Sequence, residues 1–248
     1  ELVDSDASRP LLGRPTPCVG REHELGMLQS AWDQCVEKKS AQAVLVLAPA
    51  GMGKSRLRHE FTQRLARSGM DFHELVARGD SLGASALGMV TGALRGLFQV
   101  DAHETLEIKR GKVEAFVREH IESADARRFI DFLGELAAIP FPDEHSPRLR
   151  ATRQDPRLIA EQMTLVFIEL CRRLSARKPL LILLEDLHWG DGATIRILGT
   201  ALAAVAEKPL FLLALGRPEV EEVFPRLWAE RGLETRRLQQ LAKKASEQ

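Results

Sequence analysis

The chain has 248 residues, 44% of them hydrophobic and 28% charged, a composition that suits a water-soluble globular protein of one large or two small domains. Lys+Arg and Asp+Glu both number 35, so nothing in the bulk charge draws the chain to nucleic acid or to anionic membranes. No apolar run approaches the ~20 residues that span a bilayer, and the three cysteines (Cys18, Cys35, Cys171) form no C-x-x-C pair, which fits reduced thiols in the cytoplasm.

Residues 1–17 read as a linker, broken by Pro10, Gly13, Pro15 and Pro17. The start at Glu1, without Met or a signal pattern, suggests a piece of a longer protein. Residues 21–37 predict an amphipathic helix with Leu25, Leu28, Trp32 and Cys35 on one face. The aliphatic run 44–47 predicts a strand buried on both sides, and 54–67 a helix carrying Leu57, Phe61 and Leu65 at i, i+4, i+8. A second strand is expected over 72–77. Residues 84–139 read as helical throughout, and 139–153 as a break rich in Pro and charge. Pro156 opens an apolar helix, 180–184 is an aliphatic strand, 192–206 a helix and 210–215 another strand. A short helical piece after Pro218 and a strand near 235–238 close the pattern.

Continuous aliphatic strands alternating with helices mean a parallel sheet covered on both faces. The expected fold is α/β, three layers around a mainly parallel five-stranded sheet, which the phosphate-loop motif described next makes a P-loop NTPase. A helical insertion, about 84–150, separates the phosphate-loop strand from the acid-bearing strand. The domain is placed at 18–230, with 231–248 as a C-terminal region that the family resemblance described below implies is the start of a truncated lid.

Four segments carry chemistry. In AVLVLAPAGMGKSRL (43–57) a strand runs into a Gly-containing turn and then a helix, the setting of a phosphate-binding loop. Backbone N–H groups of Pro49-Ala50-Gly51-Met52-Gly53 and the helix start cradle a polyphosphate, apart from the proline nitrogen. Lys54 reaches the β- and γ-phosphates, the Ser55 hydroxyl ligates Mg²⁺, and Arg56 completes the candidate set. The pattern G-x-x-x-x-G-K-[ST] wants Gly at position 48, and Ala48 stands there. In LLILLED (180–186) a buried strand ends in Glu185 and Asp186, with no basic neighbour in sequence. One acid can hold Mg²⁺ and the other the attacking water. In LFLLALGR (210–217) a strand delivers Arg217 to the edge where α/β sheets bind ligands. There it meets a γ-phosphate, the alternative being a surface pair with Glu219 or Glu221. In CVGRE (18–22) Gly20 permits a tight turn, Arg21 reaches a phosphate and Val19 caps an adenine ring.

Taken in order, CVGREHEL, APAGMGKSRL, LLILLEDLHWGD and LLALGRPEV resemble the nucleotide-binding module of the signal-transduction ATPases with numerous domains, a group of AAA+-related P-loop ATPases. The nearest likeness is to the ATPase domain of multidomain bacterial serine/threonine kinases, class III cyclases and LuxR-type regulators. The resemblance implies ATP/ADP and Mg²⁺ as ligands. It casts Lys54 and Ser55 as the phosphate lysine and Mg²⁺ serine, Glu185 as the Mg²⁺-associated acid, Asp186 as the residue that polarises water, and Arg217 as the sensor. Val19 and Arg21 match the motif that touches adenine and phosphates, and His188, Trp189 and Asp191 match an LHWAD run. The Glu-Asp order, where relatives often show Asp-Glu, implies slow hydrolysis, and a chain ending before the lid implies weaker nucleotide affinity. Other domains of the same polypeptide are the implied partners, with a homo-oligomer open. Two further readings stand beside the regulatory switch: a nucleotide-stabilised scaffold with little turnover, and an initiator-type ATPase acting on DNA, which the neutral charge opposes.

Overall fold

The structure is a computed structural model that describes residues 20–81, 85–144 and 146–239. The linker 1–17, Val19 and residues 240–248 lie outside that range.

Three strands are almost wholly buried: β1 (Gln42–Leu47), β3 (Leu180–Glu185) and β4 (Leu210–Gly216). Their side chains alternate between the two faces of the sheet, and both faces are covered, so the sequence is aliphatic without a break. On one face Val44, Val46, Leu181, Leu183, Phe211 and Leu213 pack against α1 (Glu22–Glu37) and α2 (Lys54–Arg67). Phe211 meets Trp32 edge-on at 5.8 Å and Phe61 at 6.0 Å. Fully burying a side chain such as Phe61 or Phe211 stabilises the fold by about 1.5–3 kcal/mol.

The other face bears Leu45, Leu180, Ile182, Leu184 and Leu212. It is covered by α3 (Gly88–Leu97), α4 (Leu106–His120), α5 (Ser123–Leu136), α7 (Pro156–Arg177) and α8 (Gly192–Ala204). Val113, Val117, Phe129, Phe132 and Leu133 of the expected insertion belong to this same core. The insertion is therefore one layer of the domain and not an appendage. The expected break over 139–153 needs correction, because it contains α6 (Pro147–Arg153). Ser146 caps this helix by accepting the Leu149 N–H at 3.3 Å, and Pro147 sits in the first turn, where its missing N–H costs nothing.

The edge strands are β2 (His73–Arg78) and β5 (Glu234–Arg237), and the order is β2-β3-β4-β1-β5, every pair parallel. β5 is largely exposed and its charged residues discourage further strand pairing. A short helix, α9 (Val220–Val223), lies between β4 and β5. With β4 between β1 and β3, the residues that follow all three strands gather at one edge of the sheet. Cys35 and Cys171 are free and buried, and burial pushes both thiols up to about 12.

Candidate functional site

The loop after β1 explains its own departure from the expected pattern. Ala48 is buried, and its N–H donates to Gly216 O at 3.1 Å, so it extends the pairing of β1 with β4. Its φ is not positive, and a methyl group is tolerated there. Gly51 and Gly53 are different: φ is +78° and +83°, the left-handed region, with open space where a Cβ would stand. The retained glycines thus stand where the backbone requires them.

Gly53 is the N-cap of α2 and offers no side-chain cap. The first N–H groups of α2 face the concavity of the loop, a site suited to an anion. Lys54 begins the helix and folds its ammonium back onto the loop, donating to Ala48 O at 2.7 Å and Pro49 O at 2.9 Å. Ser55 beside it is exposed, as are Pro49 and Ala50. Arg56 pairs along the helix with Glu60 at 3.3 Å. Arg21 is buried against the loop; its guanidinium donates to Met52 O at 3.1 Å and pairs with Glu24 at 2.7 Å. The structure thus brings Arg21 to the phosphate loop, while Val19 lies outside the described residues.

β3 ends at Glu185. Asp186 turns the chain with φ +51°, a left-handed conformation that Asp tolerates better than most residues, and starts a 3₁₀ turn, Leu187–Trp189. Gly79, just after β2, closes on this turn: its N–H donates to Glu185 O at 2.9 Å, and a Cβ there would come within 2.3 Å of Asp186 O. The sequence showed the two acids without a basic neighbour, and this is corrected in space. Arg58 Nε lies 3.0 Å from Glu185 Oε1, an ion pair not aligned as a hydrogen bond, and Arg78 Nη2 lies 2.8 Å from Oε2.

Lys54, Asp186, His188, Arg217 and Glu219 share one electrostatic neighbourhood. Burial lowers the Lys54 pKa, with Asp186 opposing and Arg217 assisting. Burial also lowers that of His188, assisted by Arg217 and opposed by Asp186. Both ring nitrogens of His188 are buried without a hydrogen-bond partner. Arg217 follows β4 with its guanidinium 5.3 Å from the Trp189 ring centre, and His188 lies 4.5 Å from the same ring. Glu221, one expected surface partner of Arg217, instead holds Arg237 at 2.6 Å. Asp191 lies apart from this chemistry: it caps α8, accepting from Thr194 N at 2.7 Å and Leu87 N at 2.9 Å.

Sequence reasoning missed Arg58, Arg78 and Gly79. Arg58 follows Lys54 by one helical turn, the only local signal.

The open loop, the uncapped helix start, the Lys54 cation and the orphaned His188 nitrogens fit a polyphosphate. Ser55 and Asp186 fit a Mg²⁺ ion that takes its remaining ligands from phosphate and water. Among the described residues no cluster of three or more His, Cys, Asp or Glu can hold a metal by itself. Glu185 meets Arg58 at Oε1 and Arg78 at Oε2, so a metal there would share its oxygens with two guanidiniums. A cavity of about 890 Å³ opens nearby between α1, the start of α2 and β5, lined by His23, Met27, Leu28, Leu57 and Arg237.

The family profile described as AAA ATPase domain matches residues 17–213. A protein of Rhizobium meliloti (strain 1021), described as uncharacterized protein R02095, is 26% identical over 204 residues, which cover 82% of this chain and 19% of that protein. The chain therefore spans only 19% of the length of this curated relative. The structure of the Aeropyrum pernix ORC1 protein in complex with DNA is similar at TM-score 0.42 and 14% identity, over 89% of this chain and 46% of that one. VirB4 of Thermoanaerobacter pseudethanolicus is similar at TM-score 0.33 and 12% identity, over 83% and 79% respectively.

Proposed function

The chain belongs to the AAA ATPase domain family, and from that premise we propose that it is an ATP-binding, slowly hydrolysing regulatory switch within a larger bacterial signal-transduction protein. The observation that carries the reading is the convergence of Lys54, Asp186 and Arg217 at one edge of the sheet, beside a glycine loop and an uncapped helix start. The loop N–H groups and α2 bind the phosphates, and Lys54 leaves the Ala48 and Pro49 carbonyls to meet them. Ser55 and Asp186 hold Mg²⁺, which when bound neutralises phosphate charge and orders the phosphoryl oxygens. Asp186 orients the attacking water, and Arg217 moves onto the γ-phosphate, so that its position depends on which nucleotide is bound. Arg21 approaches from the start of α1, Val19 keeps the adenine-capping role the motif implies, and the cavity lined by Met27, Leu28 and Leu57 accepts the base.

The regulatory part of the reading rests on the motif resemblance. It is also supported by the length of the Rhizobium relative, most of which lies outside the matched region. Other domains of the same polypeptide are the proposed partners, and a homo-oligomer is a second arrangement the resemblance allows. Two free, buried thiols support a cytoplasmic setting.

Titration of the chain with a fluorescent ATP analogue tests the proposal. Saturable Mg²⁺-dependent binding is expected, weakened at least about 30-fold by Lys54→Ala, with slow phosphate release abolished by Asp186→Asn. Equal binding by wild type and Lys54→Ala refutes it. Binding without measurable release, even with the flanking domains present, favours the nucleotide-stabilised scaffold.

A further inference from the structure

Both oxygens of Glu185 face arginines. Arg58 Nε stands 3.0 Å from Oε1, while Arg78 reaches Oε2 with Nη2 at 2.8 Å and Nε at 3.2 Å. The Glu185 side chain is 7% exposed and that of Arg58 10%, so this part of the contact is shielded from solvent. The two arginines come from different elements. Arg58 belongs to α2, one turn beyond Lys54, and Arg78 is the last residue of β2. A single carboxylate therefore ties the phosphate-loop helix and the edge strand to the end of β3. The backbone tightens the same point, because Gly79 bonds to Glu185 O and leaves no room for a side chain against Asp186 O. Asp186 is thus held in its left-handed turn by the residues around Glu185, while its own half-buried carboxylate faces the neighbourhood of Lys54 and His188.

Resting on the ATP-binding reading above, we propose that Glu185 is a positioning residue and not the metal-associated acid. With Arg58 and Arg78 it sets the separation between the phosphate-loop helix and Asp186, and Asp186 is the acid that meets Mg²⁺ and the attacking water. A metal bound at Glu185 must compete with both guanidiniums for oxygens they already face, one of the two contacts being shielded from solvent. Asp186 carries no such burden. The assignment reverses the one implied by motif order, in which the first acid serves the metal.

The test compares wild type with Glu185→Gln, Arg58→Met, the double variant, Arg58→Lys and Asp186→Asn. The readouts are thermal unfolding, kcat and KM for ATP, and the Mg²⁺ concentration that half-maximally tightens a fluorescent ATP analogue. If Glu185 positions, Glu185→Gln and Arg58→Met each lower kcat about tenfold and raise the Mg²⁺ midpoint by the same factor, because both loosen Asp186 from the phosphate-loop helix. The double variant is then no worse than either single one, because both remove the same tie, and Arg58→Lys recovers most of the loss. Asp186→Asn moves the Mg²⁺ midpoint by about tenfold or more. The proposal is overturned if Glu185→Gln raises the Mg²⁺ midpoint about tenfold while Arg58→Met leaves it in place, or if the two losses multiply. Should Glu185→Gln not fold, Arg78→Gln gives the same comparison from a half-exposed side chain. A wild type that binds no ATP analogue refutes the functional reading and this proposal together. A wild type that binds, with the Glu185 pattern reversed, refutes this proposal alone.

Discussion

The Arg217 guanidinium sits 5.3 Å from the centre of the Trp189 ring, and the ring itself is partly open to solvent. This cation–π contact contributes about 0.5–1 kcal/mol at an exposed site, weak enough for a phosphate to compete for the guanidinium. Nucleotide binding is therefore expected to report on Trp189. Among the tryptophans, Trp32 and Trp228 are buried, so a change in emission on adding ATP and Mg²⁺ should vanish in Trp189→Phe. It should also vanish in Arg217→Ala at saturating nucleotide. ADP should give a smaller change than ATP, since it lacks the γ-phosphate that draws Arg217 away. Equal responses to ADP and ATP would count against Arg217 as the sensor.

Gly53 offers a separate handle on the loop. Its φ of +83° strains any other residue, but a Cβ there meets nothing within 4 Å. Gly53→Ala is therefore expected to cost about 1–2 kcal/mol, all of it in backbone strain. The protein can recover part of that only by moving the loop, which displaces the first N–H groups of α2. ATP-analogue affinity should fall at least about tenfold while the melting temperature drops only ~2–8 °C. The contrasting substitution is Ala48→Gly. It restores the consensus letter at a position where φ is not positive, and it should leave affinity within about twofold. Thermal unfolding and analogue titration of the two variants check both statements.

What the sequence made visible follows from how each element is buried. β1, β3 and β4 are covered on both faces, so each shows as an aliphatic run, and the phosphate loop and acid pair are read at their ends. α6 was hidden because seven residues with a leading proline look like a break, and its signal, Ser146 before Pro147, is only a cap. The partners of Glu185 were hidden for a different reason. Arg78 lies 107 residues away in the chain, and only the pairing of β2 with β3 brings it alongside. Asp191 belonged to a legible motif but took a structural role, since motif order carries no information about which carboxylate caps a helix.

That role leads to a stability prediction. The Asp191 carboxylate accepts from Thr194 N, from the Thr194 hydroxyl at 2.7 Å and from Leu87 N, joining α8 to the start of α3. Asp191→Ala leaves these buried donors unpaired and should destabilise the domain by about 2–3 kcal/mol, lowering the melting temperature ~5–10 °C. Asp191→Asn keeps an acceptor and should lose roughly half as much. Analogue affinity at a temperature well below the transition should change little in either variant, since Asp191 reaches neither the loop nor Arg217. A large affinity loss in Asp191→Asn with an unchanged melting temperature would return this residue to the nucleotide site.

A pH dependence is built into the opposite end of the sheet. His73 opens β2, its ring 5.9 Å from that of His120 at the end of α4, and its Nε2 is buried without a partner. His120 in turn stacks on Phe116 at 4.2 Å. Burial holds the His73 pKa below its ordinary value, helped by His120, Lys178 and Arg177 and opposed by Asp71. A histidine whose folded pKa lies below its unfolded one binds more protons when unfolded. Its contribution is fully present above about pH 6.5, the unfolded value, and is lost as pH falls from there toward the lowered folded value. His188 shifts in the same direction through burial and Arg217, so it adds to the slope. Urea midpoints measured between pH 8 and 5 should be flat at the upper end and fall below about 6.5. His73→Gln, which cannot take up a proton, should flatten part of that fall and leave the His188 share. An unchanged slope in His73→Gln would mean that the imidazole protonates without penalty where it sits against His120.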